Sequence, residues 1–225
     1  MSGSSKGAGK FVSLYSGAGG YVFGQADDGS YQADDLGIDS EGGLQAAQLF
    51  GQMAEQDFLN ADITYDVMID SFSTGRAPYA VTGPWAIGDF ADVDYVVEPF
   101  PTVEGGTPAP FVGVQGFMVS AFAENELAAK TFVLDFMGTD EVQLALYEAG
   151  NRPPAKTSAF EAVSDDPDVA GFGAAGESGR PMPAIPEMGS VWAAWTDAYE
   201  NIFAGQDAEA AFQQAADQIR ELIGL

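Results

Sequence analysis

The sequence of 225 residues contains no cysteine and no histidine. Without cysteine there is no disulfide, no thiolate metal ligand and no cysteine nucleophile. Without histidine the chain lacks the most common general base and the most common metal ligand of proteins. Ser-His-Asp and Cys-His catalysis are therefore excluded, and an enzyme built on this chain would depend on carboxylates, Tyr or Lys.

Positive charge is scarce. Eight Lys and Arg residues stand against 34 Asp and Glu residues, which gives a formal net charge of −26 at pH 7. Such a surface repels phosphate backbones and anionic lipid headgroups. The sequence therefore predicts no nucleic-acid partner, and its charge is typical of a soluble protein in a salty or exported setting.

Long apolar runs are also missing. No stretch approaches the roughly 18 consecutive apolar residues of a membrane-spanning helix, and residues 1–10, MSGSSKGAGK, lack the apolar core of a signal peptide. We expect residues 1–10 to form a flexible tail or a start within a longer reading frame. With 46% hydrophobic and 12% aromatic residues, the rest has the composition of a globular protein.

Turn and periodicity signals predict a hairpin and two helices in the first third. Asp-Gly and Asp-Asp turns separate short aromatic stretches in 19–40, which is typical of a small hairpin. Apolar residues then recur at helical intervals behind the cap candidate Ser40. A second amphipathic helix, YDVMIDSFSTG, is expected to stop at Gly75.

Strands and helices alternate in the remainder. Residues 77–82 (APYAVT) and 94–101 (DYVVEPFP) are predicted strands, and 110–122 is strand-like. A helix pair is expected over 125–150, broken at Gly138-Thr139-Asp140 with Thr139 or Asp140 as a cap. A polar linker at 151–160 and a Gly/Pro-rich stretch precede two final helices. This order favours an α/β body with a mainly parallel sheet.

A Gly-Pro pair marks one expected bend of the chain. Gly83 and Pro84 precede Trp85 at a point where a helix is expected to begin. Proline has a fixed φ and no N–H, and both properties suit the first helical position, with Thr82 or Gly83 as the cap. The motif thus sets the largest side chain of the segment at the start of a short helix.

Several segments, in this order, resemble the maltose/maltodextrin-binding branch of the extracellular solute-binding proteins that serve sugar ABC importers. The segments are GGYVF, FLNADITYDVMIDSFSTGRAPYAVTGPWAI, PFVGVQGFMVSA, NELAAKTFVLDFMGTDEVQLAL and PMPAIPEMGSVWAAW. The resemblance extends from about Gly19 to the C-terminus. Each fragment alone is a weak signal, but five in register over most of the chain are a specific one.

The resemblance implies an α/β, periplasmic-binding-protein-like (type II) two-lobed fold that binds sugar by lobe closure about hinge strands. The chain would hold mostly the C-terminal lobe, as 11–110 and 157–225, while 111–156 would be the hinge and a crossing segment from the other lobe. The N-terminal part of the first lobe would be missing. The lack of an export signal favours a fragment over a shortened relative, and a fragment is expected to bind sugar weakly.

The implied function is binding of maltose, maltodextrin or a related oligosaccharide for delivery to the permease subunits of an ABC importer. The implied location is extracellular or periplasmic, with a lipid anchor on the full-length form, and the protein is expected to be a non-enzymatic monomer without cofactor or metal. Two alternatives stay open: a carbohydrate-active enzyme that uses carboxylates, and an acidic scaffold protein.

Four residues are candidate sugar contacts. Flat aromatic faces stack on the apolar C–H patches of pyranose rings. By resemblance, Trp85 and Trp192 fall where maltodextrin binders place stacking aromatics, Tyr65 falls at a sugar-contacting tyrosine, and Met182 falls in a loop beside the cleft. Trp85 and Tyr65 also have purely structural interpretations, as a core tryptophan and as a helix staple.

Trp192 has the strongest structural alternative. Met188, Trp192, Trp195 and Tyr199 form one helical stripe, which is usually a core face, and Trp195 is assigned to the core. The chain also departs from the family, because Thr196 stands where maltose binders commonly carry arginine. The segment preceding Phe11 does not match the family's Glu-Pro-Tyr region, so the identity of the sugar is left open.

The acidic residues offer no convincing catalytic or metal site. Asp27-Asp28, Asp34-Asp35 and the run Asp89, Asp92, Asp94 lack the EF-hand spacing with its closing Glu. A solvated acidic face is the preferred interpretation. Nor does any spacing single out a carboxylate pair for glycoside hydrolysis.

Overall fold

A computed structural model of the chain describes residues 9–59, 62–103 and 105–225. The α-helices of this part are α1 (Val12–Gly17), α2 (Glu41–Glu55), α3 (Tyr65–Ser73), α4 (Glu126–Thr131), α5 (Asp140–Gly150), α6 (Thr157–Val163), α7 (Pro167–Gly176), α8 (Met188–Phe203) and α9 (Ala208–Ile223). Short 3₁₀ turns cover Gly9–Phe11 and Pro84–Phe90, and a π-helical turn, Phe132–Phe136, continues α4.

The strands are short. An antiparallel hairpin joins β1 (Phe23–Gln25) to β2 (Tyr31–Leu36), and β3 (Phe111–Val112) pairs in parallel with β4 (Arg180–Pro181). None of the helices in the described ranges is both long and apolar enough to cross a membrane.

The chain divides into two compact units. The first comprises the described residues of Met1–Val67, Phe100–Val112 and Gly176–Leu225, and the second comprises Met68–Pro99 and Gly113–Ala175. The assignment of 11–110 and 157–225 to one lobe and of 111–156 to another stays a prediction.

An aromatic core holds the first unit together, where α8, α9 and α2 pack against one another. Tyr15 meets Trp195 edge-on with ring centroids 5.0 Å apart, and Tyr199 meets Phe50 in the same way at 4.9 Å. Edge-to-face pairs of this kind stabilise a core beyond their buried area. Burial raises the pKa of the Tyr199 hydroxyl well above its ordinary value, so this ring stays neutral in the core.

The N-terminus of α2 is fixed by a cap and a close backbone contact. The Ser40 hydroxyl accepts a hydrogen bond from the Gly43 N–H at 3.2 Å, which satisfies one of the unpaired donors of the first turn. Gly42 lies so close to Gly19 that an added side-chain carbon would be 2.1 Å from the Gly19 carbonyl oxygen. Arg220 of α9 binds the Asp39 carboxylate in front of this helix with both guanidinium nitrogens, at 2.6 and 2.9 Å.

Polar links connect the elements of the second unit. The Tyr95 hydroxyl donates to Asp168 at the start of α7 at 2.8 Å. The Lys156 ammonium and the Ser158 hydroxyl both bind Asp140, the first residue of α5. The 3₁₀ turn that contains Trp85 is anchored by Phe90, whose ring packs edge-on against Phe72 of α3 at 4.8 Å.

The helix predictions are confirmed where caps and periodicity agreed. Helices begin behind Ser40 and Thr139, Pro84 opens its turn, and the helix at Tyr65 ends just before Gly75, whose φ is +71°. The hairpin within 19–40 and the two C-terminal helices are present as expected.

Several local predictions are wrong. Residues 77–82 and 94–101 form no strand, and only 111–112 of the strand-like stretch pair, so the described chain has no large parallel sheet. A strand needs a lateral partner for its backbone groups, and sequence propensity does not supply one. The linker 151–160 ends early, because α6 already begins at Thr157.

The predicted tail lies mostly outside the described residues. Its last two residues, Gly9 and Lys10, are not a tail but belong to the 3₁₀ turn that leads into α1.

The close contact at Gly42 gives a matched pair of variants. Gly42 and Gly189 are each the second residue of a helix, but nothing lies within 4 Å of a side-chain carbon added at Gly189. We expect Gly42→Ala to lower the free energy of unfolding by about 1–3 kcal/mol, because the backbone of Gly19 cannot move aside easily. Gly189→Ala should be neutral or stabilise by up to about 1 kcal/mol. Urea unfolding followed by circular dichroism measures both values, and equal stabilities of the two variants would contradict the packing.

Candidate functional site

Trp85 lies on the surface, at the start of the 3₁₀ turn Pro84–Phe90. Its ring folds back over Gly83: an added side-chain carbon at Gly83 would lie 2.4 Å from the indole carbon Cζ3 and 2.5 Å from Cη2. The backbone of Gly83 is extended, so glycine is required by this close approach and not by φ. More than half of the Trp85 surface, 56%, is exposed. The segment thus presents a large aromatic ring to solvent and supports it from below.

Trp192 lies on α8 at the edge of the core. It is half-buried, and its ring meets Phe111 edge-on at 6.4 Å and Trp195 at 6.5 Å. The helical stripe predicted from the sequence is largely a core face, since Met188, Trp195 and Tyr199 are buried. Trp192 is the member of the stripe that retains solvent access, and Trp195 is a core residue.

Tyr65 and Met182 are both exposed. Tyr65 is the first residue of α3, whose start is capped by the Thr64 hydroxyl, which accepts from the Val67 N–H at 3.3 Å. Met182 follows β4, which is tied to the rest of the first unit on two sides. The Arg180 N–H donates to the Pro110 carbonyl at 2.9 Å, and the Tyr31 hydroxyl donates to the Pro181 carbonyl.

The four candidates are distributed over both units. Trp192, Tyr65 and Met182 belong to the first unit, and Trp85 belongs to the second. In the part of the chain that the structure describes, the ring contacts of Trp192 lead to Phe111 and Trp195 and not to Tyr65. The grouping of the four side chains around one ligand stays a prediction.

Two surface depressions contain none of the four residues. One, of about 760 Å³, lies along the helical segment Glu126–Phe136, and another, of about 400 Å³, is lined by Gln48, Gln52 and Phe203 among others. The first also presents exposed rings, those of Phe132 and Phe136, beside Asn125, Thr131 and Asp135. Trp85 differs from them in the close approach of its ring to the backbone of Gly83.

Two residues close to Trp85 in the sequence have properties that no sequence pattern predicted. Tyr79 is 86% exposed, and its segment 77–82 was predicted to be a strand. The Thr82 hydroxyl is buried and has no hydrogen-bond partner in the described chain. No pattern in the sequence distinguishes these two residues from ordinary strand residues.

Some carboxylates of the described chain serve a turn or an ion pair. Asp28 accepts from the Ser30 N–H at 2.9 Å and from its hydroxyl at 2.6 Å, which closes the hairpin loop. The pKa of Asp140 is lowered by hydrogen bonds from Lys156 and Ser158. Burial, together with a hydrogen bond to Asp168, raises the pKa of Tyr95 to about 12. Within the described ranges no three Asp or Glu residues are grouped so as to hold a metal ion.

Comparison with known proteins finds relatives that bind oligosaccharides, as their names state. The galactooligosaccharide-binding protein of Bacillus subtilis (strain 168) is 32% identical over 219 residues, which are 91% of this chain and 51% of that protein. A maltooligosaccharide ABC transporter solute-binding lipoprotein of Streptococcus pneumoniae serotype 4 is 29% identical over 220 residues, 93% of this chain and 51% of that protein. The chain therefore spans about half the length of the curated relatives it matches.

A solved structure of a sugar-binding protein has a similar fold. The maltotriose binding protein of Thermus thermophilus, bound with maltotriose, superposes with a TM-score of 0.86 at 30% identity, over 100% of this chain and 63% of that one. The predicted α/β, periplasmic-binding-protein-like (type II) class is confirmed. A family model described as bacterial extracellular solute-binding protein matches residues 3–171, more than half of the sequence. The chain therefore belongs to the family of bacterial extracellular solute-binding proteins.

Proposed function

We propose that these 225 residues bind an oligosaccharide of the maltodextrin class or a related sugar, for delivery to an ABC importer. The observation that carries the proposal is the exposed indole of Trp85, supported by the backbone of Gly83. The relatives named for galactooligosaccharide, maltooligosaccharide and maltotriose support the ligand class.

The chemistry of the ring explains why Trp85 suits this role. One side of a pyranose presents C–H groups that bury apolar area against an aromatic plane, while its hydroxyls keep their hydrogen bonds at the rim. A ring held in place before binding loses little conformational freedom when the sugar arrives. Trp192, Tyr65 and Met182, each with some exposed surface in the first unit, are the proposed further contacts.

Location and partners follow from the same family. We place the protein outside the cytoplasmic membrane, in the periplasm or at the cell surface, with a lipid anchor on the full-length form and permease subunits as its partner. The word lipoprotein in the name of the pneumococcal relative supports the anchor. The proposed lobes are 11–110 with 157–225, and 111–156 as the hinge and crossing segment.

Binding without catalysis is part of the proposal. The relatives carry names of binding proteins and not of enzymes. The carboxylates with defined partners in the structure, such as Asp28 and Asp140, are engaged in a turn and an ion pair. Incubation with maltotriose should therefore release no reducing ends over time, whereas steady release would favour the carboxylate enzyme.

Replacement of Trp85 tests the sugar contact. We expect Trp85→Ala to weaken binding of maltotriose or of a galactooligosaccharide by about tenfold or more, which corresponds to about 1.4 kcal/mol, because the stacking plane is removed. Tyr79→Ala is the matched control, since it removes an even more exposed aromatic ring from the same unit. Isothermal titration calorimetry on the two variants, with circular dichroism as a check of folding, measures the difference. Equal affinities would overturn the role of Trp85.

Replacement of Gly83 tests whether the orientation of the ring matters. We expect Gly83→Ala to displace the indole, because the new methyl carbon would occupy the space of the ring, and to weaken sugar binding several-fold. Gly88→Ala is the control: it lies in the same 3₁₀ turn, and nothing lies within 4 Å of its added carbon. Near-ultraviolet circular dichroism should change in the first variant and not in the second. A Gly83→Ala variant with native spectrum and native affinity would contradict the proposed support.

A further inference from the structure

Trp192, one of the proposed sugar contacts, lies half in the core and half in solvent. Its neighbour on α8, Trp195, is fully buried. The two indole rings are tilted by 32° with their centroids 6.5 Å apart, so Trp195 bounds one side of the Trp192 ring. A side chain with solvent on its other sides can change rotamer unless a second neighbour restrains it.

Phe111 of β3 is such a second neighbour. Its ring is nearly perpendicular to the indole of Trp192, at 83°, with the centroids 6.4 Å apart. Perpendicular pairs have a preferred geometry, because the positive edge of one ring faces the negative plane of the other. Phe111 therefore limits the directions in which the indole can turn.

The strand that carries Phe111 is held on two sides by side-chain hydroxyls. From α1, the Ser16 hydroxyl accepts a hydrogen bond from the Ala109 N–H at 2.8 Å. From the segment before β4, the Ser178 hydroxyl donates to the Pro108 carbonyl at 2.6 Å. These groups all belong to the first unit. Displacement of the Phe111 backbone would break hydrogen bonds to two different elements, so its ring is presented from a fixed position.

The same strand holds the loop that carries Met182, another proposed sugar contact. Phe111 pairs in parallel with Arg180, whose N–H donates to the carbonyl of the residue before Phe111 at 2.9 Å. The two segments are in close contact, since a side-chain carbon added at Gly179 would lie 2.4 Å from the Val112 Cγ2. Met182 begins directly after β4. The strand thus links the indole of Trp192 to the loop of Met182.

We propose that Phe111 is a positioning residue for sugar binding: it holds the indole of Trp192 in the orientation that receives a pyranose. The inference rests on the proposed function and adds to it a residue that acts through Trp192. A ring that is oriented before binding loses little conformational freedom when the ligand arrives. Removal of the Phe111 ring should therefore weaken sugar binding.

A purely structural role is the alternative, because Phe111 also packs against the edge of the core. Phe203 provides the matched control. It is likewise a half-buried phenylalanine of the first unit at the edge of the core, but its ring contacts are with Phe11 and Tyr199. Loss of either ring should lower the free energy of unfolding, whereas loss of Phe111 alone should release Trp192.

Acrylamide quenching without sugar measures the restraint on Trp192. In a Trp85→Phe background the quenchable emission comes from Trp192, because Trp195 is fully buried. We expect Phe111→Ala to raise the quenching constant at least twofold, because the indole gains freedom and solvent access. Phe203→Ala should leave the constant unchanged. Phe111→Tyr, which keeps the ring, should retain the value of the parent.

Calorimetric titration with maltotriose or a galactooligosaccharide, in chains that keep Trp85, measures the consequence for binding. We expect Phe111→Ala to weaken the affinity at least fivefold, Phe203→Ala to change it less than twofold, and Phe111→Tyr to restore it. Far-ultraviolet circular dichroism checks that each variant folds. Phe111→Leu is the second variant: it keeps apolar bulk at the edge of the core but has no ring, and both measurements should change in the same direction.

Three results would overturn the inference alone: an unchanged quenching constant in Phe111→Ala, an unchanged affinity in Phe111→Ala, or equal changes in Phe203→Ala. If the parent chain bound neither sugar, the proposed function would fail and the inference with it. The titration of the parent therefore distinguishes the two failures.

Discussion

The proposed function depends on one contact: the indole ring of Trp85 lies close to the backbone of Gly83. Trp85 can lie against the chain only because position 83 is glycine, and Pro84 fixes the direction in which the turn begins. The result is a large apolar plane that faces water in a chain with a formal net charge of −26. A pyranose has an apolar side that can cover such a plane.

The other two tryptophans, Trp192 and Trp195, lie on the same helix, one at the edge of the core and one inside it. On α8, Trp195 is fully buried against Tyr15, while Trp192 lies one turn away at the edge of the same core. Packing of this kind keeps the half-buried ring in one orientation, since its neighbours cannot move without opening the core. In the second unit, residues 114–119 and the helical segment Glu126–Phe136 also expose apolar side chains.

Local signals in the sequence predicted correctly where helices begin, but they did not predict strands correctly. The caps at Ser40 and Thr139 determine where helices begin because their hydrogen bonds are formed within a few residues. Residues 77–82 have strand propensity, but pairing depends on distant backbone that propensity does not describe. For the candidate site, the Gly-Pro-Trp motif and the family resemblance indicated Trp85, whose contact with a sugar stays a prediction. Periodicity indicated a core face for Trp192 and Trp195 alike, and it could not predict which of the two retains solvent access.

The central claim is that a sugar covers the exposed face of Trp85. Quenching of tryptophan fluorescence by acrylamide in a Trp192→Phe background tests it most directly, because Trp195 is fully buried and the quenchable emission then comes from Trp85. Acrylamide is neutral, so the charge of −26 does not repel it. If a sugar covers Trp85, saturating maltotriose or galactooligosaccharide will lower the quenching constant at least twofold. A quenching constant that stays the same when the sugar is bound would contradict it.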